Sequence, residues 1–171
     1  MKRIGILGGA FDPIHHGHLM MAENAADAFK LDQVVFVVAN QSPFKGKAVS
    51  PKHRLSMVKA AVKGNPRFSV SNIELKRKGV SYTIDTVGYF KHHHPDAEIF
   101  LIIGEDNVAG LDAWKNIDAL RKMVQFVVID REWFNVSSTL IRSKINQKKS
   151  VRYLTPDAVI RYISRHDLYK N

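Results

Sequence analysis

Ile4-Gly5-Ile6-Leu7-Gly8-Gly9-Ala10-Phe11-Asp12-Pro13-Ile14-His15-His16-Gly17-His18 runs from an apolar stretch through paired glycines into a histidine-rich segment. The apolar part reads as a buried strand that Gly8-Gly9 ends in a tight turn. Beyond it, Leu19, Ala22, Ala26 and Phe29 recur at three- and four-residue steps, the stripe of an amphipathic helix. The glycines leave room for backbone N–H groups to approach an anion, and the helix start adds the positive end of its dipole. His15 and His18 stand near that start, where both can face one ligand and offer it ring N–H donors.

The alternation continues along the chain. Val34-Val35-Phe36-Val37-Val38 is continuous and β-branched, as expected of a parallel strand covered on both faces. Ser50-Pro51 supplies an N-cap and first-turn proline, Leu55, Val58 and Val62 a stripe, and Gly64 a stop. A strand is expected over 68–75, a helix over 83–94 and a strand over 99–103 that Gly104 ends. A short helix over 117–123 capped by Asn116 and a last strand over 126–129 follow. Two helices close the chain, opening at Ser137-Ser138-Thr139 and at Thr155-Pro156. This order predicts an α/β fold: a Rossmann-like doubly wound parallel sheet with helices on both faces, one domain over 1–171. Such sheets bind ligands beyond the carboxyl ends of their strands, which selects 8–18, 39–47, 104–106 and 130–142.

Composition narrows the chemistry. The absence of cysteine excludes disulfides, thiolate nucleophiles and cysteine-based zinc or iron–sulfur sites. No apolar run approaches the roughly 20 residues that cross a bilayer. Met1-Lys2-Arg3 leads into no long apolar stretch, so no secretory signal is expected, and cytoplasm is the expected compartment. A formal net charge of +10 calls for an acidic partner, either nucleic acid or a phosphorylated small molecule. Basic residues are spread along the chain with no aromatic-interleaved repeat, which argues against nucleic acid. His15, His16 and His18 lack a carboxylate at matching spacing, which argues against a metal site there. His92-His93-His94 close a helix, where cationic groups are favoured for structural reasons.

The loop matches neither the glycine order of a dinucleotide-binding turn nor a P-loop. It closely resembles the HxGH motif of the nucleotidyltransferase superfamily, in the form Gly-Gly-x-Phe-Asp-Pro-x-His-x-Gly-His. Val136-Ser137-Ser138-Thr139-Leu140-Ile141-Arg142 resembles the Ile-Ser-Ser-Thr-x-Ile-Arg signature of the same superfamily. Hydroxyls at a helix N-terminus with an arginine one turn in suit a triphosphate, because a guanidinium binds two oxygens at once. The same hydroxyls also make ordinary helix caps.

Three further segments resemble nicotinate mononucleotide adenylyltransferase. Ser81-Tyr82-Thr83-Ile84-Asp85-Thr86 matches its Ser-Tyr-Thr-x-Asp-Thr, which implies that the backbone near Thr83 binds the pyridine carboxylate. Gly104-Glu105-Asp106 matches its Gly-x-Asp beside the nucleotide sugars. Leu111-Asp112-Ala113-Trp114-Lys115 matches the segment whose tryptophan stacks on the pyridine. Tyr153-Leu154-Thr155-Pro156 and Leu168-Tyr169 also have counterparts, so the likeness covers nearly the whole chain. There are departures: Phe44 in Ser42-Pro43-Phe44-Lys45 replaces a histidine, Ala10 replaces threonine or serine, and the segment between Arg131 and Val136 is short.

The resemblance implies that ATP is held by Gly8, Gly9, Ala10, Phe11, His15, His18, Gly104, Asp106, Ser137, Ser138, Thr139 and Arg142. It implies that the mononucleotide is held by Gly9, Ala10, Asn40, Lys45, Thr83, Asp106, Trp114 and Arg131. His15, His18, Lys45 and Arg142 are the expected catalytic set, with Mg²⁺ carried on ATP and pyrophosphate instead of a protein cage. ATP and nicotinate mononucleotide are the expected partners, and a homo-oligomer is compatible with the sequence. The rival acceptors are nicotinamide mononucleotide and phosphopantetheine. The phosphopantetheine enzymes normally have threonine where this chain has His15. A non-enzymatic basic nucleic-acid-binding protein would explain the charge but neither motif.

Overall fold

A computed structural model describes residues 1–41, 48–130 and 135–170. Strands β1 (Arg3–Gly9), β2 (Gln33–Val38), β3 (Phe68–Ser71), β4 (Glu98–Gly104) and β5 (Gln125–Ile129) form one sheet in the order β3-β2-β1-β4-β5. Every neighbouring pair is parallel. The helices are α1 (His16–Ala28), α2 (Pro51–Val62), α3 (Ile73–Arg77), α4 (Thr83–His93), α5 (Ile117–Met123), α6 (Ser138–Asn146) and α7 (Asp157–Arg165). A 3₁₀ helix spans Glu105–Ala113.

Side chains alternate across a strand, so each continuous apolar run feeds two cores. Val34, Phe36 and Val38 join Leu7, Phe100 and Ile102 on one face, under Ala22 and Ala26 of α1, Met57 and Val58 of α2, and Val159 of α7. Val35 and Val37 join Ile4, Ile6, Ile99, Leu101 and Ile103 on the other, under Val87 and Phe90 of α4 and Leu120 of α5. This is the doubly wound arrangement expected from the sequence. No helix among the described residues is long and apolar enough to cross a membrane.

Two local expectations are corrected. The strand expected over 68–75 ends at Ser71, and α3 takes over from Ile73. Its apolar residues alternate only as far as Val70; the step to Ile73 breaks the period of two. Asn116 does occupy the N-cap of α5, but in the left-handed region at φ +53° and without a side-chain capping bond. Asparagine tolerates that conformation, so its contribution is to the turn.

The chain leaves β1 toward β2 and β3, then returns to place β4 on the other side of β1. That reversal opens a crevice beyond the carboxyl ends of β1 and β4. Phe36 links the core to that crevice: it is fully buried, its ring centroid 5.9 Å from that of Phe11 and 5.2 Å from that of Phe68. Truncating such a ring leaves a cavity. Phe36→Ala should therefore lower unfolding free energy by about 3–5 kcal/mol in a denaturant titration, and a loss below about 1 kcal/mol would contradict this packing.

Candidate functional site

The loop after β1 is built from constraints on its carbonyl groups. The Gly9 carbonyl accepts from the Ala39 N–H at 2.9 Å, just past β2. The Ala10 carbonyl accepts from Arg54 Nη1 of α2 at 2.7 Å, and the Asp12 carbonyl from Arg142 Nη1 of α6 at 2.7 Å. Ser138 Oγ donates to the Pro13 carbonyl at 2.8 Å, and Thr155 Oγ1 to that of Ile14 at 2.7 Å. With these five carbonyls engaged, the loop has mainly N–H groups left to offer a ligand, the polarity an anion requires. Phe11 sits in the left-handed region at φ +49°, uncommon for a bulky residue and held here by burial of its ring.

His15 is the N-cap of α1 and is 3% exposed. Its backbone N–H donates to His18 Nδ1 at 3.2 Å, so that nitrogen is an acceptor and the neutral ring carries its proton on Nε2. His18 thus presents an Nε2–H donor. The His15 and His18 ring centroids lie 3.7 Å apart at 30°, and Phe11 packs edge-on to His18 at 5.0 Å. Gly17 makes this possible: a Cβ there would stand 3.0 Å from His15 Nδ1.

The facing wall is the start of α6. Ser137 caps it, accepting from the Leu140 N–H at 3.1 Å, and Arg142 Nη2 donates to Thr139 Oγ1 at 3.3 Å. Both readings of this motif hold together, since the hydroxyls cap and staple while lining the cleft. A guanidinium has more donors than these contacts use, so Arg142 keeps some for a ligand. At the other end, Thr83 opens α4, and Trp114 ends the 3₁₀ helix that Gly104 precedes. Lys115 Nζ lies 3.6 Å from the Asp85 carboxylate and 4.4 Å over the Tyr82 ring. Buried Glu74 accepts from Thr86 Oγ1 at 2.5 Å, and Arg77 donates to the same hydroxyl at 3.2 Å.

These parts enclose a cleft of about 1010 Å³. It is lined by Gly8, Gly9, Ala10, Phe11, His15, His18, Thr83, Gly104, Asp106, Trp114, Ser137, Ser138, Thr139 and Arg142, all expected from the sequence. Asn40 is not brought into it. Its Nδ2 donates to the Gly79 carbonyl at 2.8 Å and its N–H to Ser81 Oγ at 2.9 Å, tying the end of β2 to the approach to α4. Lys45, Arg131 and Phe44 lie outside the described residues. Among the described residues, no three His, Asp or Glu side chains gather as a metal cage.

Sequence reasoning missed Arg54 and Glu74, and marked Tyr169 only as a counterpart without a role at the site. Arg54 is 2% exposed and donates to the carbonyls of Val49, Ala10, Ala39 and Asn40. Burial lowers its pKa, and the nearby charge of Asp12 opposes that shift. Tyr169 donates to Asp12 Oδ1 at 2.6 Å. Burial first, then the hydrogen bond to Asp12, pushes its pKa far above the usual phenol value, so it stays protonated. The available signal for Arg54 was its place one turn before Val58, on the apolar stripe of α2.

A family model described as Cytidylyltransferase-like matches residues 6–144. The chain is 42% identical over 189 residues to the probable nicotinate-nucleotide adenylyltransferase of Bacillus pumilus, covering 100% of both. It is 44% identical over 187 residues to that of Shouchella clausii, covering 99% of this chain and 97% of the relative. The fold is similar to a putative nicotinate-nucleotide adenylyltransferase structure from Vibrio parahaemolyticus, with TM-score 0.86 at 21% identity over 100% of this chain and 97% of that one. It is also similar to the Plasmodium falciparum nicotinic acid mononucleotide adenylyltransferase complexed with NaAD, with TM-score 0.82 at 17% identity over 99% and 98%.

The fork of Arg142 bears on ligand and loop together. Lysine would keep its charge but not its planar donor pair. Arg142→Lys should weaken ATP binding about tenfold or more in calorimetric titration, and an unchanged Kd would exclude a bidentate role toward the triphosphate.

Proposed function

Because the chain belongs to the cytidylyltransferase-like family and, within it, to the nicotinate-nucleotide adenylyltransferases, we propose that it transfers AMP from ATP to nicotinate mononucleotide. The products are deamido-NAD and pyrophosphate, a step of NAD biosynthesis. The observation that carries the reading is the cleft's polarity. The starts of α1, α4 and α6 all border it, each placing N–H groups and a positive dipole end where an anionic substrate would lie.

A phosphate oxygen of the mononucleotide attacks the α-phosphorus in line. The bond to the bridging oxygen breaks and pyrophosphate leaves with the electron pair. The attacking oxygen is already anionic, so positioning and charge stabilisation carry the catalysis without a covalent enzyme intermediate. The His18 Nε2–H donates to the phosphoryl oxygen that gains charge, and Arg142 holds the leaving pyrophosphate. By resemblance, Lys45 acts on the same phosphates. Mg²⁺ enters with the nucleotide as part of the substrate, neutralising the charge of the leaving group. The proposal extends to a cytoplasmic enzyme of small nucleotides that takes no nucleic acid as partner.

Losing the His18 donor should cost chemistry more than binding. His18→Ala should lower kcat by about 10²–10³ while KM for ATP changes far less. Near-normal turnover would remove His18 from the mechanism.

The acceptor is tested by acid against amide. Thr83 opens α4, where unbonded N–H groups favour an anion, and Asp85 is offset by Lys115 at 3.6 Å. Stacking on Trp114 treats both pyridines alike, so discrimination rests on the exocyclic group. One or two charge-assisted hydrogen bonds give a preference of roughly ten- to several-hundred-fold in kcat/KM for the acid. Pyrophosphate release with nicotinate mononucleotide, its amide and phosphopantetheine as acceptors measures it. A ratio near one or inverted would sink the acceptor assignment while leaving adenylyl transfer intact.

A further inference from the structure

Asp12 stands at the bend of the loop after β1 and is 9% exposed. Its carbonyl is fixed by Arg142 at 2.7 Å, and its carboxylate accepts from Tyr169 at 2.6 Å. Two residues earlier, the Ala10 carbonyl is held by Arg54 at 2.7 Å, and the same guanidinium holds Ala39 and Asn40 beyond β2. The Asp12 carboxylate attracts the Arg54 guanidinium, and together with burial it keeps its hydrogen-bond partner Tyr169 protonated. Neither Arg54 nor Tyr169 borders the cleft, whereas Ala10, Asp12 and Arg142 do. Two side chains from α2 and the chain's far end therefore grip the back of a loop whose front faces the substrate.

We infer that Arg54 and Tyr169 are positioning residues of the adenylyl transfer, acting through Ala10 and Asp12 to hold the phosphate-facing loop and Arg142 in register. The inference rests on the proposed reaction. Ground-state ATP binding is shared among many contacts and tolerates small displacements. In-line attack does not, because reacting groups must lie within about 0.5 Å of their productive places. Loss of either grip should consequently appear in kcat before KM.

Tyr169→Phe is the mildest test, since it keeps the ring and removes one oxygen. Steady-state pyrophosphate release from the full chain should show kcat reduced about tenfold, with KM for ATP and for nicotinate mononucleotide within about twofold. The thermal midpoint should fall by no more than a few degrees. Arg54→Lys, which keeps the charge but cannot fork onto separate carbonyls, should show the same split. Asp12→Ala removes the acceptor that Tyr169 uses, so the double variant with Tyr169→Phe should be no slower than Asp12→Ala alone.

Wild-type kcat in Tyr169→Phe would overturn the inference. So would a loss of kcat matched by an equal rise in both KM values, or losses that multiply in the double variant. Should Arg54→Lys fail to fold, Tyr169→Phe and its cycle still decide the matter. A wild-type chain that releases no pyrophosphate with any acceptor would refute the proposed reaction instead, so the two failures are distinguishable.

Discussion

Burying the Arg54 guanidinium sets a condition that much of the site satisfies. A charge withdrawn from water is costly unless its donors are bonded and a counter-charge is near. Arg54 meets the condition with the carbonyls of Val49, Ala10, Ala39 and Asn40 and with the nearby charge of Asp12. Those carbonyls belong to the loop after β1, the exit from β2 and the approach to α2. One side chain thus fixes the relative positions of segments that border the nucleotide cleft from different strands. The left-handed backbone of Phe11 persists within this frame because both sides of the loop are held.

The cleft divides into two ends with one electrostatic logic. At one, His18 and Arg142 lie between the starts of α1 and α6; at the other, Thr83, Trp114 and Lys115 gather at the start of α4. The formal charge of +10 finds local expression there, although Glu74, Asp12 and Asp106 also line the cleft. Glu74 accepts from Thr86, whose hydroxyl Arg77 also reaches, and Asp12 accepts from Tyr169 and lies within the field of Arg54, so each carboxylate has a cation in its neighbourhood. The affinity for anions arises from oriented N–H groups and a few placed cations more than from total charge.

Much of the fold was legible because burial on both faces writes continuous apolar runs, and 34–38 and 99–103 split between the two cores by parity. It failed at 68–75, where an edge strand of half-buried residues carries little hydrophobic signal. The cleft was legible at Gly8 to His18 and Ser137 to Arg142 because each pattern joins a helix start to anion-binding groups. The ties of Asn40 to Gly79 and Ser81 were not legible, since an amide after a strand serves a turn as well as a ligand. Arg54 and Tyr169 escaped because their meaning lies in their partners. Nothing near Tyr169 in sequence points to an aspartate 157 residues away.

That separation has a consequence for how the site comes into being. The donors to Pro13, Asp12, Ile14 and the Asp12 carboxylate lie 125 to 157 residues downstream of their acceptors. Each contact closes a loop nearly as long as the chain, and the entropic cost of closure grows only slowly with length. Once the first is made, the others become nearly local and follow at little further cost. Order in the phosphate-facing loop is therefore shared by all of them and depends on α6, Thr155 and the closing Tyr169 being docked. A sheet and α1 without those elements would leave the loop's carbonyls in competition with its amides for solvent and ligand, and the His16 N–H without its bond to Leu154. The final segments of the chain thereby belong to the site as much as the histidine motif does, although most of their bonds go to the back of the loop and not to the substrate.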